Sequence, residues 1–430
     1  MAQTIDVHAA AAMVRPTDSV AVPLGPGQPA DFLHALGERD DFVDLQVFGA
    51  LLVDLYMVFT KPGVRYLSGF FGPAERFLVD SGANVEFVPA DFRRFAPIGE
   101  KLAPRVIATL ASVPDADGFM SLSLHAGATV NEIHRCGADP HRVLIVETNP
   151  HAPRTYGLDA AQHRVHVDEA DAIIQSSRPV FTLADAPPTE AEQRIAQFAR
   201  AFVHDGSTLQ TGIGGVPSQV VKILAEGTGG DYGIHSEMFT TALMKLHQSG
   251  KVTNTHKGQF DGVSITTFAA GTQELNEWLH ENLDVRFLPV DVVNSPEVIS
   301  HNRNMVTING AIAVDLYGQV VADTIDGKQF SGIGGHEDFV AASGLALDDR
   351  SLICLPSTST VGGNVVSRIL AKHAAGAIVT TPRHQLDVVI TEHGVAELRG
   401  RTVRERALAL SEIADPALRN ELQAAAQALR

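Results

Sequence analysis

Residues 208–241 read TLQTGIGGVPSQVVKILAEGTGGDYGIHSEMFTT. Thr208-Leu209-Gln210-Thr211 is a strand candidate, and Gly212-Ile213-Gly214-Gly215 follows it as a loop whose backbone N–H groups are unobstructed by side chains. Pro217 then stands in the first turn of a helix in which Val220, Val221, Ile223 and Leu224 recur at helical spacing. A second apolar run with Gly-rich approaches ends in His235-Ser236-Glu237, which puts the Glu237 carboxylate at the end of a neighbouring strand. Donor N–H groups and a carboxylate on adjacent strand ends are the minimum apparatus for chemistry on an acyl group.

The four residues Gly-Ile-Gly-Gly occur again in Phe330-Ser331-Gly332-Ile333-Gly334-Gly335-His336-Glu337-Asp338-Phe339. Two such loops can approach one ligand from two sides, or they can be a pair of tight turns. Two further segments stand out. Asn149–Gly157 follows a strand and carries Arg154, which either meets an anion or is solvated at a domain edge. Thr391–Arg406 is the most cationic part of the chain, and most of its arginines read as a solvated, ion-paired helix face.

Around these segments the chain alternates strands and helices. Strand-like runs recur at 18–24, 43–52, 85–88, 118–124 and 143–147 with helical patterns between them, while 59–95 is rich in Phe, Gly and Pro and has no clean period. Asp185-Ala186-Pro187-Pro188-Thr189-Glu190 resembles a linker leading into a helix capped by Thr189. The rhythm then restarts, with further strands expected at 285–290, 308–314, 320–322, 352–355, 378–379 and 388–391, and one amphipathic helical stretch from Val403 to Arg430. The expected architecture is α/β: two similar open domains, 1–186 and 187–430, each with a mainly parallel sheet. The halves echo each other faintly, since Pro26-Gly27-Gln28-Pro29 occupies the place that Gly214-Gly215-Val216-Pro217 has later. A length of 430 residues also exceeds a single comfortable core.

Lys+Arg 33 against Asp+Glu 50 gives a net charge of −17, which disfavours nucleic acid and anionic membranes as partners. An anionic ligand therefore needs a local site of N–H dipoles and a few Arg or Lys. There is no run of about 18 apolar residues and no signal-peptide pattern. The two cysteines, Cys136 and Cys354, lack ligand spacing and fit a cytoplasmic protein. The loop at 212–217 fails as a dinucleotide fingerprint, because its sixth position is Pro217 and not Gly. P-loop, His-Glu-x-x-His and Gly-x-Ser-x-Gly motifs are absent, and neither a metal nor a redox cofactor is expected.

Gly-Ile-Gly-Gly-Val-Pro at 212–217, Gly-Ile-His-Ser-Glu-Met-Phe at 233–239 and Ser-Gly-Ile-Gly-Gly-x-x-Asp-Phe at 331–339 together resemble the acetyl-CoA hydrolase/transferase family of the class I CoA-transferase superfamily, and within it the 4-hydroxybutyrate CoA-transferases. The resemblance extends to Asn149–Thr155, Leu355–Thr358, Thr380–His384 and Thr391–Arg406, covering nearly the whole chain and most strongly the part after Leu144. It implies an active site between two α/β domains and acyl transfer through a glutamate, with Glu237 as nucleophile. It likewise implies an oxyanion hole from the N–H groups of Ile213 and Gly335, contacts to CoA at Gly212, Gly214, Gly215, Val216 and Ser331, and a homodimer. CoA enters as substrate, exchanged between an acyl-CoA and a short-chain carboxylic acid. A hydrolase on the same scaffold, or a CoA-ester-binding protein without turnover, would carry many of the same motifs. The chain departs from the family pattern at His336-Glu337 and at His393, and Glu337 adds a negative charge near the place expected for an anionic acid.

Overall fold

The computed structural model describes residues 3–159, 162–184, 186–343 and 346–429. Its first sheet has eight strands, all parallel, in the spatial order Gln3–Thr4, Ala172–Gln175, Val143–Asn149, Val106–Ser112, Ser19–Ala21, Leu45–Gly49, Val64–Ser68 and Val85–Phe87. The second has six, in the order Gly233–Ile234, Thr208–Thr211, Met305–Gly310, Arg350–Cys354, Val388–Thr391 and Gly394–Glu397; only the last pair is antiparallel. Two mainly parallel sheets with helical crossovers are the α/β arrangement expected from the sequence.

Successive strand residues point to opposite faces, and both faces are covered. Leu144 and Val146 enter one apolar core while Ile145 enters another; Leu352 and Cys354 divide from Ile353 and Leu355 in the same way. The core that holds Leu144 and Val146 also holds Leu209 and Val306, so the two sheets share one continuous interior.

The sheets begin and end in different segments, with the connection running between Gln175 and the helix Glu190–Arg200. Asp185, in the segment read as a linker, lies outside the described residues. Thr189 does cap the helix: its hydroxyl accepts from the Glu192 N–H, and Glu192 accepts from the Thr189 N–H at 2.7 Å. The two halves repeat one device. The turn Gly25–Gly27 follows the strand Ser19–Ala21 and precedes the helix Ala30–Gly37, as the loop 212–214 follows Thr208–Thr211 and precedes Gly215–Glu226.

Several expectations are corrected. Val106–Ser112 and Ala172–Gln175 are strands that the sequence pattern does not disclose. Val106–Ser112 is buried at every position, so it lacks the alternation that marks a half-exposed strand. Val64–Ser68 emerges from the Phe-Gly-Pro-rich stretch that had no clean period. Phe119–Ser121 and Val285–Phe287 are strands but belong to small two-stranded ribbons outside both main sheets. Ile378 and Val379 are exposed and belong to no strand. The C-terminal helical stretch is two helices, Val403–Glu412 and Pro416–Ala428; Asp415 caps the second, accepting from the Ala417 N–H at 2.8 Å, and Pro416 cannot continue the first. Among the described residues no helix is long and apolar enough to cross a membrane, and no group of three or more His, Cys, Asp or Glu residues could hold a metal ion.

Candidate active site

Thr208–Thr211 and Gly233–Ile234 run side by side, so the loop leaving one and the residues leaving the other emerge at the same sheet end. Gly214 has φ +122°, a conformation that side-chain-bearing residues rarely adopt, and it serves as the N-cap of Gly215–Glu226. Ser236 donates to the carbonyls of Thr211 and Met238 (3.1 and 2.8 Å), stitching the two strand ends together. The Glu237 carbonyl then accepts from the Thr267 and Phe268 N–H groups (3.0 and 3.2 Å) and from the Thr266 hydroxyl (2.9 Å). Its backbone held on one side, Glu237 directs its carboxyl into a cavity of about 710 Å³.

That cavity is lined by both halves of the chain. Ala21, Gly49 and Leu67 come from the carboxyl ends of first-sheet strands, and Thr211 and Gly310 from those of the second. Ligands of open parallel sheets bind at such strand ends. Both glycine loops reach the wall: Gly212 and Ile213 from the first, and Ser331, Gly332, Ile333, Gly334 and Gly335 from the second. Gly335 lies so close that a Cβ there would sit 1.8 Å from Glu237 Oε2. Only glycine lets this backbone approach the carboxyl. Gly214, Gly215 and Val216 do not line the cavity: Gly214 is exposed, Gly215 lies under the Glu192 carboxylate and Val216 is packed into the shared core.

Further residues complete the environment of Glu237: His235 and Asp338, which stand in the quoted motifs, and Asn294 and Arg93, which do not. Asn294 Nδ2 donates to Glu237 Oε2 at 2.6 Å and to Asp338 Oδ2 at 2.9 Å. Asp338 in turn forms a very close ion pair with Arg93, which belongs to the N-terminal half. His235, fully buried, donates through Nε2 to the Val293 carbonyl at 2.7 Å and so anchors the short helix that carries Asn294 at its end. Burial pushes the His235 pKa down to about 3 and keeps the ring neutral. Asp338 was within reach of the sequence, as the acidic position of the second loop; Asn294 and Arg93 had no comparable signal.

Burial pushes the Glu237 pKa up to about 8, with the Asp338 charge adding to the rise and the Asn294 hydrogen bond opposing it. Asp338 is itself pushed up to about 6, chiefly by burial, against the pull of Asn294 and Arg93. A carboxylate made here is poorly solvated, and poor solvation raises its energy as a nucleophile.

The other positions raised by the sequence fall elsewhere. Arg154 donates to Asp115 (3.1 Å) and to the Val113 carbonyl (2.8 Å), which makes it a tie between loops and not part of the cavity wall. His336 lines the cavity, and burial lowers its pKa to about 4, whereas Glu337 is turned onto the Thr381 hydroxyl in a very close contact. Burial raises Glu337 to about 7, which weakens the negative charge feared for an anionic acid. His393 is away from the cavity, 3.6 Å from Glu392 and 4.0 Å from Asp415. Of the arginines after 391, Arg399 donates to Asp387 at 3.0 Å and Arg406 to the Leu386 carbonyl at 3.4 Å.

Residues 271–426 match the family model of the acetyl-CoA hydrolase/transferase C-terminal domain. The succinyl-CoA:cyclohexane-1-carboxylate CoA transferase of Geobacter metallireducens is 35% identical over 97% of this chain and 93% of its own length. The 4-hydroxybutyrate coenzyme A transferase of Clostridium kluyveri is also 35% identical, over 92% of this chain and 90% of its own. Among solved structures, a 4-hydroxybutyrate CoA-transferase from Porphyromonas gingivalis superposes with a TM-score of 0.79 at 27% identity, covering 98% of this chain and 96% of that one. RipA from Yersinia pestis superposes with a TM-score of 0.88 at 29% identity, covering 99% and 97%. With the glutamate, the paired glycine loops and likeness along almost its full length, the chain belongs to the acetyl-CoA hydrolase/transferase family and is one of its CoA-transferases.

Proposed function

We propose that the enzyme moves CoA from an acyl-CoA to a carboxylic acid by a ping-pong mechanism in which Glu237 is the nucleophile. The observation that carries this reading is the Glu237 carboxyl in the cavity, with Gly335 against one oxygen and the first glycine loop beside it. The Glu237 carboxylate attacks the thioester carbonyl, the C–S bond breaks, and CoA leaves as thiolate from a glutamyl–acyl anhydride. The thiolate attacks the glutamyl carbonyl, releasing the first acid as carboxylate and leaving a glutamyl-CoA thioester. The acceptor carboxylate then runs the same two steps in reverse, and protons balance throughout. The N–H groups of Ile213 and Gly335 take the roles of oxyanion donors, each worth roughly 3 kcal/mol of barrier. Gly212 and Ser331, on the wall, with the exposed Gly214 beyond Gly212, mark the side that CoA follows, and Gly215 and Val216 support that loop from below. Binding of the remote parts of CoA supplies energy for the strained first step.

Short-chain acids, including 4-hydroxybutyrate and acetate, are the first acceptors to assay, and we take the working form to be a cytoplasmic homodimer. The test is intact mass after mixing the protein with short acyl-CoAs and no acceptor, followed by borohydride reduction and peptide mapping. A CoA-sized adduct reduced at Glu237 is expected. Binding of CoA with no adduct from any acyl-CoA would refute the glutamyl mechanism.

A further inference from the structure

The Phe-Gly-Pro-rich stretch that gave no period at the sequence level supplies much of the cavity wall beside the second glycine loop, where the Phe92 N–H donates to the Gly334 carbonyl at 2.9 Å. Phe70, Phe92, Phe95, Ile98 and Leu102 line it, and Phe268 joins them from the C-terminal half. Phe92 and Phe268 meet edge to face with ring centroids 6.2 Å apart. Phe268 is also tied by its N–H to the Glu237 carbonyl at 3.2 Å, so the aromatic surface begins at the nucleophile. Phe70 approaches from the other side: its ring would lie 3.6 Å from a Cβ on Gly334, and Glu237 Oε1 3.8 Å from the same point.

The charge on this wall is as telling as its apolar character. Among the described residues no Lys or Arg lines the cavity. The one other carboxylate, Glu132, is already held by Arg135 and Arg142 at 2.7 and 2.9 Å. His336 is neutral across the working range. A second carboxylate on a substrate would be buried here with no cation to meet it, at a large desolvation cost. Apolar carbon would be welcomed.

We propose that one of the two acids exchanged by this enzyme is a bulky apolar monocarboxylate of six or more carbons, seated against Phe70, Phe92, Phe95 and Phe268, and that dicarboxylates are rejected. The assignment rests on the transferase reading above, in which both acids pass through Glu237, where Phe268 and Phe70 stand. Burial of each added methylene favours the larger acid by roughly fourfold, so hexanoate gains on the order of 100-fold over acetate in kcat/KM.

The test gives purified enzyme acetyl-CoA as donor and, separately, labelled acetate, hexanoate, benzoate, phenylacetate or succinate as acceptor, with acyl-CoA products read by mass spectrometry. Hexanoate and the aromatic acids are expected to lead, acetate to follow, and succinate to be slowest. Acetate exchange with no advantage for the larger acids, or succinate as the best acceptor, would overturn the proposal while leaving the transferase reading intact. No exchange with any acid would remove the transferase reading itself. Phe95→Ala, checked for an unchanged melting profile, is expected to cut the hexanoate-to-acetate ratio about tenfold; an unchanged ratio would show that the acid does not sit on this wall.

Discussion

Glu147, buried, and Glu237, half-buried, both stand at or just beyond the carboxyl end of a parallel strand, one in each half of the chain. Burial pushes Glu147 up to about 7 and Glu237 up to about 8, so acidity hardly separates them. Their partners do. Glu147 accepts from the N–H groups of Phe32 and Asp31 (3.0 and 3.3 Å), at the first turn of the helix Ala30–Gly37, and does not line the cavity that Glu237 enters. It satisfies backbone donors that would otherwise be orphaned. Glu237 has one side-chain donor, Asn294, and opens onto the cavity that both glycine loops line. A raised pKa marks burial; access to a shaped cavity with spare donors marks chemistry.

The sharpest way to break this contrast is to remove each carboxylate. Glu237→Gln is expected to lower transfer by roughly 10³-fold or more, measured as kcat on any accepted acid pair. The same change should stabilise the fold. Between the ordinary carboxylate pKa and about 8, the unfolded chain ionises Glu237 while the native state holds its proton. Native stability is therefore lost as pH rises through that window and the full cost is present above it. Melting temperatures should rise in Glu237→Gln by more at pH 9 than at pH 6; an equal rise at both would contradict the raised pKa.

Next in size is Gly335→Ala. The added Cβ would occupy the position of Glu237 Oε2, so the carboxyl must turn away from its acyl target. A loss on the order of 100-fold in kcat is expected, with CoA binding by calorimetry largely retained.

The pH profile distinguishes the neighbours of Glu237. Activity that needs the carboxylate should climb with pH through about 8 in the free enzyme, read as kcat/KM. Asn294→Ala removes the hydrogen bond that favours the ionised form and should move this limb to higher pH. Asp338→Asn removes a like charge and should move it lower. Shifts in the same direction would show that the two substitutions act through the fold and not through the carboxyl.

The smallest effect belongs to Glu147→Ala, which leaves two helix N–H groups without their acceptor. It is expected to cost about 1–3 kcal/mol in urea unfolding and to leave the pH limb of activity in place. A large activity loss with unchanged stability would erase the distinction between the two carboxyls.

Much of this is legible in short stretches of sequence. Gly214 is glycine because its φ of +122° requires it, and Thr189 begins a helix because its side chain and Glu192 cap each other; both are settled within a few residues of chain. The rhythm of strands and helices gave the α/β class. It failed at Val106–Ser112, where burial on both faces erases the period, and at Ile378–Val379, where two β-branched or apolar residues have no strand to join.

The sequence by itself determined the local devices: the glycine loops, the caps, the strand ends, and through the order of its motifs the family and the identity of Glu237 as its glutamate. Tertiary structure alone decided what surrounds that glutamate. Arg93 meets Asp338 across 245 residues of chain, Asp338 meets Asn294 across 44, and Asn294 meets Glu237 across 57. Such contacts depend on how the sheets pack around a shared core, and no local period or spacing encodes them. The same packing brings Phe70, Phe92 and Phe95 from an unpatterned stretch to the cavity wall, because a side chain facing a cavity has no neighbour whose spacing would disclose it.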